Sequence, residues 1–270
     1  MNTFFYIILF IIGTLFGSFY TLAVYRIPKR QDITHTHSYC PNCNHKLGFL
    51  DLIPIFSYLF LGAKCRYCKE KIRPRYFILE ILSGALFVVL ALVMKLNFYT
   101  LTIYNIAEYS FMVLYITYIV LLSVVDKENR NVNKGVNIYG IVISISYMVY
   151  LCIVEKANIY RYGIYLVLYI IILILDTITL KKYAKNSYVT GILLMLVTMV
   201  IFTGEYVVAN SIIFTLLAIA FTILAYKIKA KNKNKKSDKQ ISKEISIAFY
   251  LGVANILWLL LVLFCTNYII

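Results

Sequence analysis

Four cysteines in this chain are spaced for metal chemistry. Cys40-Pro-Asn-Cys43 is followed, after 21 residues, by Cys65-Arg-Tyr-Cys68. Two C-x-x-C turns at this separation are the pattern of a tetrahedral four-thiolate zinc site, because each turn brings both of its sulfurs to one ion without straining the backbone. The competing chemistry is a set of reduced thiols or redox disulfides, which depends on the compartment. His35, His37 and His45 lie nearby, but four thiolates already complete the shell. Cys152 and Cys265 stand alone in apolar stretches and read as small apolar residues.

The acids are the second source of chemistry. Of the 12, only Glu80, Glu108, Asp126 and Asp176 fall in or at the ends of long apolar stretches. A carboxylate there is costly and marks a functional-site hypothesis. Asp126 closes one such stretch, and Asp176 lies five residues before Lys181, at the end of another. If the two meet at similar depth they share a proton, since like charges a few ångströms apart cannot both ionise; one then acts as base toward a water and the other as acid. The plainer reading makes each an interfacial charge, Asp126 paired with Lys127 or Arg130 and Asp176 with Lys181 or Lys182. Glu80 has Arg73 and Arg75 within reach in the same way, and Glu108 lies toward the opposite end of its stretch.

These residues need elements to hold them, and the composition says which. The chain has 270 residues, 61% apolar and 14% charged, against about 25% charged in a soluble domain. That excludes a soluble enzyme, a disordered chain and a secreted disulfide scaffold. Apolar runs near the roughly 20 residues that span hydrocarbon fall at Phe4–Tyr25, Tyr76–Met94, Leu101–Val125, Val136–Val154, Ile159–Leu180, Val189–Thr203, Tyr206–Tyr226 and Ile245–Tyr268. The expected fold is an all-α polytopic membrane protein of about eight transmembrane helices with a small cytoplasmic zinc-binding loop. Residues 1–26 form the first helix, 27–75 the loop and 76–270 a seven-helix core.

Orientation follows the bias of Lys and Arg toward cytoplasmic loops. With odd-numbered helices ending inside, residues 26–75, 127–134, 181–187 and 227–244 hold 24 of the 27 cations. Both termini are then outside, and Cys40, Cys43, Cys65, Cys68, Asp126 and Asp176 all fall on the reducing, cytoplasmic side of the cell membrane. The first helix is too long for a signal-peptide core and is followed, not preceded, by Arg26, Lys29 and Arg30, so it reads as retained. The basic run Lys227–Lys243 reads as a solvated loop at the anionic leaflet. The net charge of +15 is thus a topology signal toward a lipid bilayer, and no nucleic-acid partner is expected.

The residues resemble those of the type IV prepilin peptidases, bifunctional leader peptidase/N-methyltransferases. The resemblance rests on Gly17-Ser18-Phe19, on Tyr25-Arg26-Ile27-Pro28, and on Cys40-Pro-Asn-Cys43…Leu52-Ile53-Pro54-Ile55-Phe56-Ser57-Tyr58…Cys65-Arg-Tyr-Cys68…Arg75-Tyr76…Glu80. It is dense over residues 13–87 and continues through Val124-Val125-Asp126, which matches the family's first catalytic aspartate. It implies a GxGD-type aspartic endopeptidase with a zinc loop. Such an enzyme removes the leader of prepilins or pseudopilins at the cytoplasmic face and methylates the new amino terminus with S-adenosylmethionine.

The chain departs from that pattern at identifiable places. Asp176 occupies the helix of the second catalytic aspartate, but Leu173-Ile174-Leu175-Asp176 lacks the family's Gly-x-Gly. Ala63 stands where the family commonly has a glycine tied to methylation, Thr21 replaces an Asn, and Val132-Asn133 replaces Ile-Pro. The alternative is therefore a catalytically degenerate relative, a membrane zinc-loop protein that binds pilin-like substrates without cutting them. A solute transporter would use similar helices and acids, but the cysteine loop and the absence of a visible internal repeat argue against it.

Overall fold

The computed structural model describes residues 1–29, 31–33, 35–129, 132–154, 159–183, 188–231 and 245–269. Arg130, most of the run Lys227–Lys243, and the side chains of Lys181 and Lys182 lie outside the described residues. Eight α-helices are present among them: α1 (Asn2–Arg26), α2 (Phe56–Phe60), α3 (Arg75–Val93), α4 (Ile103–Asn129), α5 (Lys134–Val154), α6 (Ile159–Tyr183), α7 (Tyr188–Lys231) and α8 (Ile247–Tyr268). The only β pairing among the described residues is two isolated antiparallel bridges, Tyr39 with Lys46 and Lys64 with Lys71. Every helix but α2 is long and apolar enough to cross a membrane, so the chain is a multi-pass membrane protein.

Helix α7 reconciles seven such helices with eight expected spans. Its 44 residues would run roughly 66 Å, about twice the hydrocarbon thickness. Gly204, at φ 80° and ψ 164°, breaks the helix in a region of backbone space open essentially to glycine alone. The Asn255 amide reaches both Thr203 Oγ1 (3.3 Å) and Ser211 Oγ (3.4 Å). In an unbroken helix those two residues stand roughly 12 Å apart along the axis. The helix is therefore broken at Gly204, and α7 is two helical limbs joined there.

The chain forms two compact units, residues 1–109 with 267–270, and residues 110–266. In the first, α1 lies directly on α3 through glycines. A Cβ on Gly13 would come within 2.7 Å of the Ser83 carbonyl, and one on Gly17 within 2.7 Å of the Glu80 Cα. Small residues four apart permit such contact where lipid offers no hydrophobic drive between helices. The ends of α1 and α3 are where the segment 27–74 leaves and returns.

In the second unit the residues of α4 from Ser110 onward form the buried axis, with Tyr115, Ile116, Tyr118, Ile119, Leu122 and Val125 almost wholly inaccessible. Hydroxyls buried in a bilayer must find partners, and these do. Tyr118 donates to Asn137 Oδ1 (3.1 Å), Tyr115 to Asn255 Oδ1, and Tyr169 to Ser144 Oγ (3.1 Å). The Tyr115, Phe202 and Tyr147 rings stack in series at 4.6 and 4.5 Å.

Candidate metal centre and membrane aspartates

Each cysteine pair is a turn of the same construction. The Cys40 amide donates to the His45 carbonyl (3.0 Å) and the Asn44 amide to the Cys40 carbonyl (2.9 Å); the Cys65 amide donates to Glu70 O (2.8 Å) and the Lys69 amide to Cys65 O (3.1 Å). The residue after each second cysteine, Asn44 at φ 56° and Lys69 at φ 61°, takes the left-handed conformation that closes the turn. Asn tolerates that region better than Lys, so the second turn holds its shape against local preference.

The two turns bring the four sulfurs together. All four Sγ atoms lie within 4.8 Å of one another, with Cys40 and Cys68 3.8 Å apart. Sulfurs bonded at 2.3 Å to a tetrahedral ion stand about 3.8 Å apart, whereas a disulfide needs about 2.05 Å. All six cysteines are free thiols. The cluster therefore suits a metal better than disulfides. Its electrostatics agree: the Glu70 backbone amide holds the Cys68 thiol down at about 7. The His45 amide works the same way on Cys43, but burial and the neighbouring Cys40 and Cys68 thiols outweigh it and push Cys43 up to about 11. Clustered thiols cannot all ionise unless a cation sits among them.

Polar contacts brace the cluster. The Asp51 carboxylate accepts from Arg66 Nε (2.6 Å), Tyr67 Oη (3.2 Å) and the Gly48 amide (3.1 Å). Burial works against that charge, yet the Arg66 guanidinium and the Gly48 amide hold it below the usual carboxylate range. The His45 ring packs on the Tyr67 ring, tilted by 31° with centroids 3.6 Å apart, which joins one turn to the other. Arg26, buried at the end of α1, donates to the carbonyls of Asp32 (2.9 Å), Thr36 (2.9 Å) and His37 (2.8 Å) and to Thr36 Oγ1 (2.7 Å). It thus organises the chain leading into Cys40.

The two aspartates are both held by the first turn of α7. Asp126 is completely buried; its Oδ2 accepts from Tyr188 Oη (2.9 Å) and from the Ala248 amide (3.1 Å). The Ile247 amide donates to Tyr188 Oη (3.1 Å). Asp126 and Tyr188 thereby satisfy amides at the start of α8, where the helix dipole favours a negative group. Asp176 Oδ1 accepts from Thr190 Oγ1 (2.7 Å), and its Oδ2 pairs with Lys134 Nζ at 3.0 Å. Tyr188 and Thr190 are two residues apart, so one helical turn ties the carboxylates of α4 and α6 together.

Several sequence expectations change here. Asp126 does not close its helix, because α4 continues to Asn129. Lys127, expected as its partner, lies over the Phe249 ring at 3.9 Å, and Arg130 lies outside the described residues. Asp176 does form a salt bridge, with Lys134 of α5; the side chains of Lys181 and Lys182, its expected partners, lie outside the described residues. Glu80 accepts the Ile55 amide at 2.7 Å, a loop contact in place of the expected arginine. Tyr188, Thr190 and Lys134 went unnoticed in the sequence, since nothing in their spacing marks them and only helix packing brings them to the carboxylates.

Residues 11–94 match the bacterial peptidase A24 N-terminal domain. That segment contains the four cysteines and Glu80 and ends before Asp126. Proteins named prepilin leader peptidase/N-methyltransferase are similar over the same order of length. The Vibrio cholerae protein is 41% identical over 85 residues, 28% of this chain and 34% of the relative. The Myxococcus xanthus protein is 41% identical over 83 residues, covering 31% and 25%. The Bacillus subtilis protein is 42% identical over 80 residues, covering 30% and 32%. The chain thus spans about a third or less of these relatives' length. No solved structure matches.

Proposed function

We propose, from the premise that residues 11–94 form a bacterial peptidase A24 N-terminal domain, that this chain is a membrane aspartic endopeptidase. It cuts the leader from type IV prepilin-like substrates at the cytoplasmic face of the cell membrane. In this reading residues 1–26 are the first span, 27–75 a cytoplasmic loop closed by a structural zinc on Cys40, Cys43, Cys65 and Cys68, and 76–270 the peptidase core. Relatives whose names include N-methyltransferase support a second activity, methylation of the new amino terminus with S-adenosylmethionine as donor.

The observation that carries the catalytic assignment is the convergence of Asp126 and Asp176 on the first turn of α7. One carboxylate removes a proton from a water that attacks the scissile carbonyl, and the other, protonated, gives its proton to the departing amide nitrogen. Tyr188 and Lys134, which contact the carboxylates, orient them and bias which one carries the proton.

The test is co-expression with prepilins and measurement of leader loss by mass. Asp126→Asn and Asp176→Asn should each lower processing by on the order of 10²–10⁴-fold, while the chain stays membrane-inserted. Unchanged processing in either variant removes that residue from the dyad. One observation favours the non-proteolytic reading: residues 173–176 continue α6 as regular helix, with no glycine to open the backbone beside Asp176. If the natural chain cuts no prepilin but the Leu173→Gly, Leu175→Gly double variant does, that second reading holds.

A further inference from the structure

Helix α2 carries three apolar side chains that the described residues leave largely uncovered. Phe56, Leu59 and Phe60 are 57%, 58% and 85% exposed, and the Phe56 and Phe60 rings stack at 6.2 Å. Positions i, i+3 and i+4 share one helix face, so the three form a single apolar stripe. The opposite side, at Tyr58, stacks on Phe77 of α3 at 4.9 Å. Just before α2, the Ile55 amide donates to Glu80 Oε2 at 2.7 Å, and Ile55 holds a φ of 65° to do so. That conformation is a genuine outlier for a β-branched residue, and here it accompanies a contact that ties the helix in place.

These contacts set the depth of α2. Phe77 and Glu80 are two and five residues inside α3, about 3 and 7.5 Å along it, and α3 is a membrane-spanning helix whose Ile78 and Leu82 face outward, 50% and 58% exposed. A helix tied at that level cannot stand clear in water. Amphipathic helices lie with their apolar face roughly 5–10 Å into the headgroup–acyl boundary, and contacts to the first two turns of a spanning helix fit that depth. The flanking chain is basic, with Lys64, Arg66, Lys69, Lys71, Arg73 and Arg75 against Asp51 and Glu70, the charge that suits an anionic leaflet.

We propose that α2 is an interfacial helix. Phe56, Leu59 and Phe60 are seated in the bilayer surface, so that the cysteine loop lies on the lipid at a fixed height and does not swing freely from α1 and α3. The occupant of the stripe is the lipid itself, independent of any peptidase activity.

Trp258 is the only tryptophan, which makes the test direct. In a Trp258→Phe background, Phe60→Trp and, separately, Phe56→Trp are placed in the full chain and reconstituted into phosphatidylcholine/phosphatidylglycerol vesicles. Leu82→Trp serves as the deeper reference, and retained helical circular dichroism shows that each variant is folded. The expected result is blue-shifted emission at residues 56 and 60, quenched more strongly by bromines high on the acyl chain than by bromines near its end. The reference should show the reverse preference or none. Water-like emission with no quenching by either lipid overturns the proposal. So does emission that becomes shielded only when a prepilin is added, which would make the stripe a substrate surface.

Discussion

At the residue scale, the cysteines and the aspartates stand on different footings. The four sulfurs are held by backbone hydrogen bonds local to each turn, and their chemistry follows from residue type. We expect about one zinc per purified chain, measured by mass spectrometry of the metal, and its loss in Cys40→Ser or Cys65→Ser. Because a structural metal contributes folding energy, the same variants should open the loop to proteases between residues 27 and 75. A metal-free natural chain with an intact, protected loop would sink the zinc assignment. The aspartates, by contrast, draw Tyr188, Ala248, Thr190 and Lys134 from other helices. Asp126 stabilises the start of α8 whatever else it does, and this is why Asn, which keeps an acceptor oxygen, is the informative replacement and Ala is not.

At the scale of elements, glycines decide which helices touch. Gly17 meets the Glu80 backbone so closely that Gly17→Ala should cost about 1–3 kcal/mol, read as a lower unfolding temperature in detergent. Backbone cannot yield as a side-chain tip can. Gly163, around which nothing lies within 4 Å, should accept Ala with no loss, and equal effects at both positions would refute the packing argument. Gly13 and Gly17 stand four apart in the sequence, but the spacing does not say which helix they face. Gly204 shows a similar limit. The sequence placed one span on each side of it, whereas the break itself shows only in the backbone angles at Gly204 and in Asn255 touching both limbs.

At the scale of the whole molecule, the membrane reading makes one further prediction about sidedness. With Cys152 and Cys265 replaced by Ser, Glu205→Cys should react with an impermeant thiol reagent in intact cells, and Lys64→Cys only after permeabilisation. The reverse pattern would invert the proposed topology and move both aspartates out of the cytoplasmic half. Hydropathy, charge bias and cysteine spacing are properties of short stretches of chain. Hence the multi-pass fold, the span positions to within a few residues and the metal-type cluster were legible from sequence. The partners of Asp126, Asp176 and Glu80 come from residues 14 to 122 positions away. Such contacts depend on how helices cross, and in lipid that crossing is set by side-chain packing and buried hydroxyls, with no hydrophobic pattern to announce it. Only the tertiary structure could decide that one turn of α7 gathers both carboxylates, and that α2 lies at the level of Glu80.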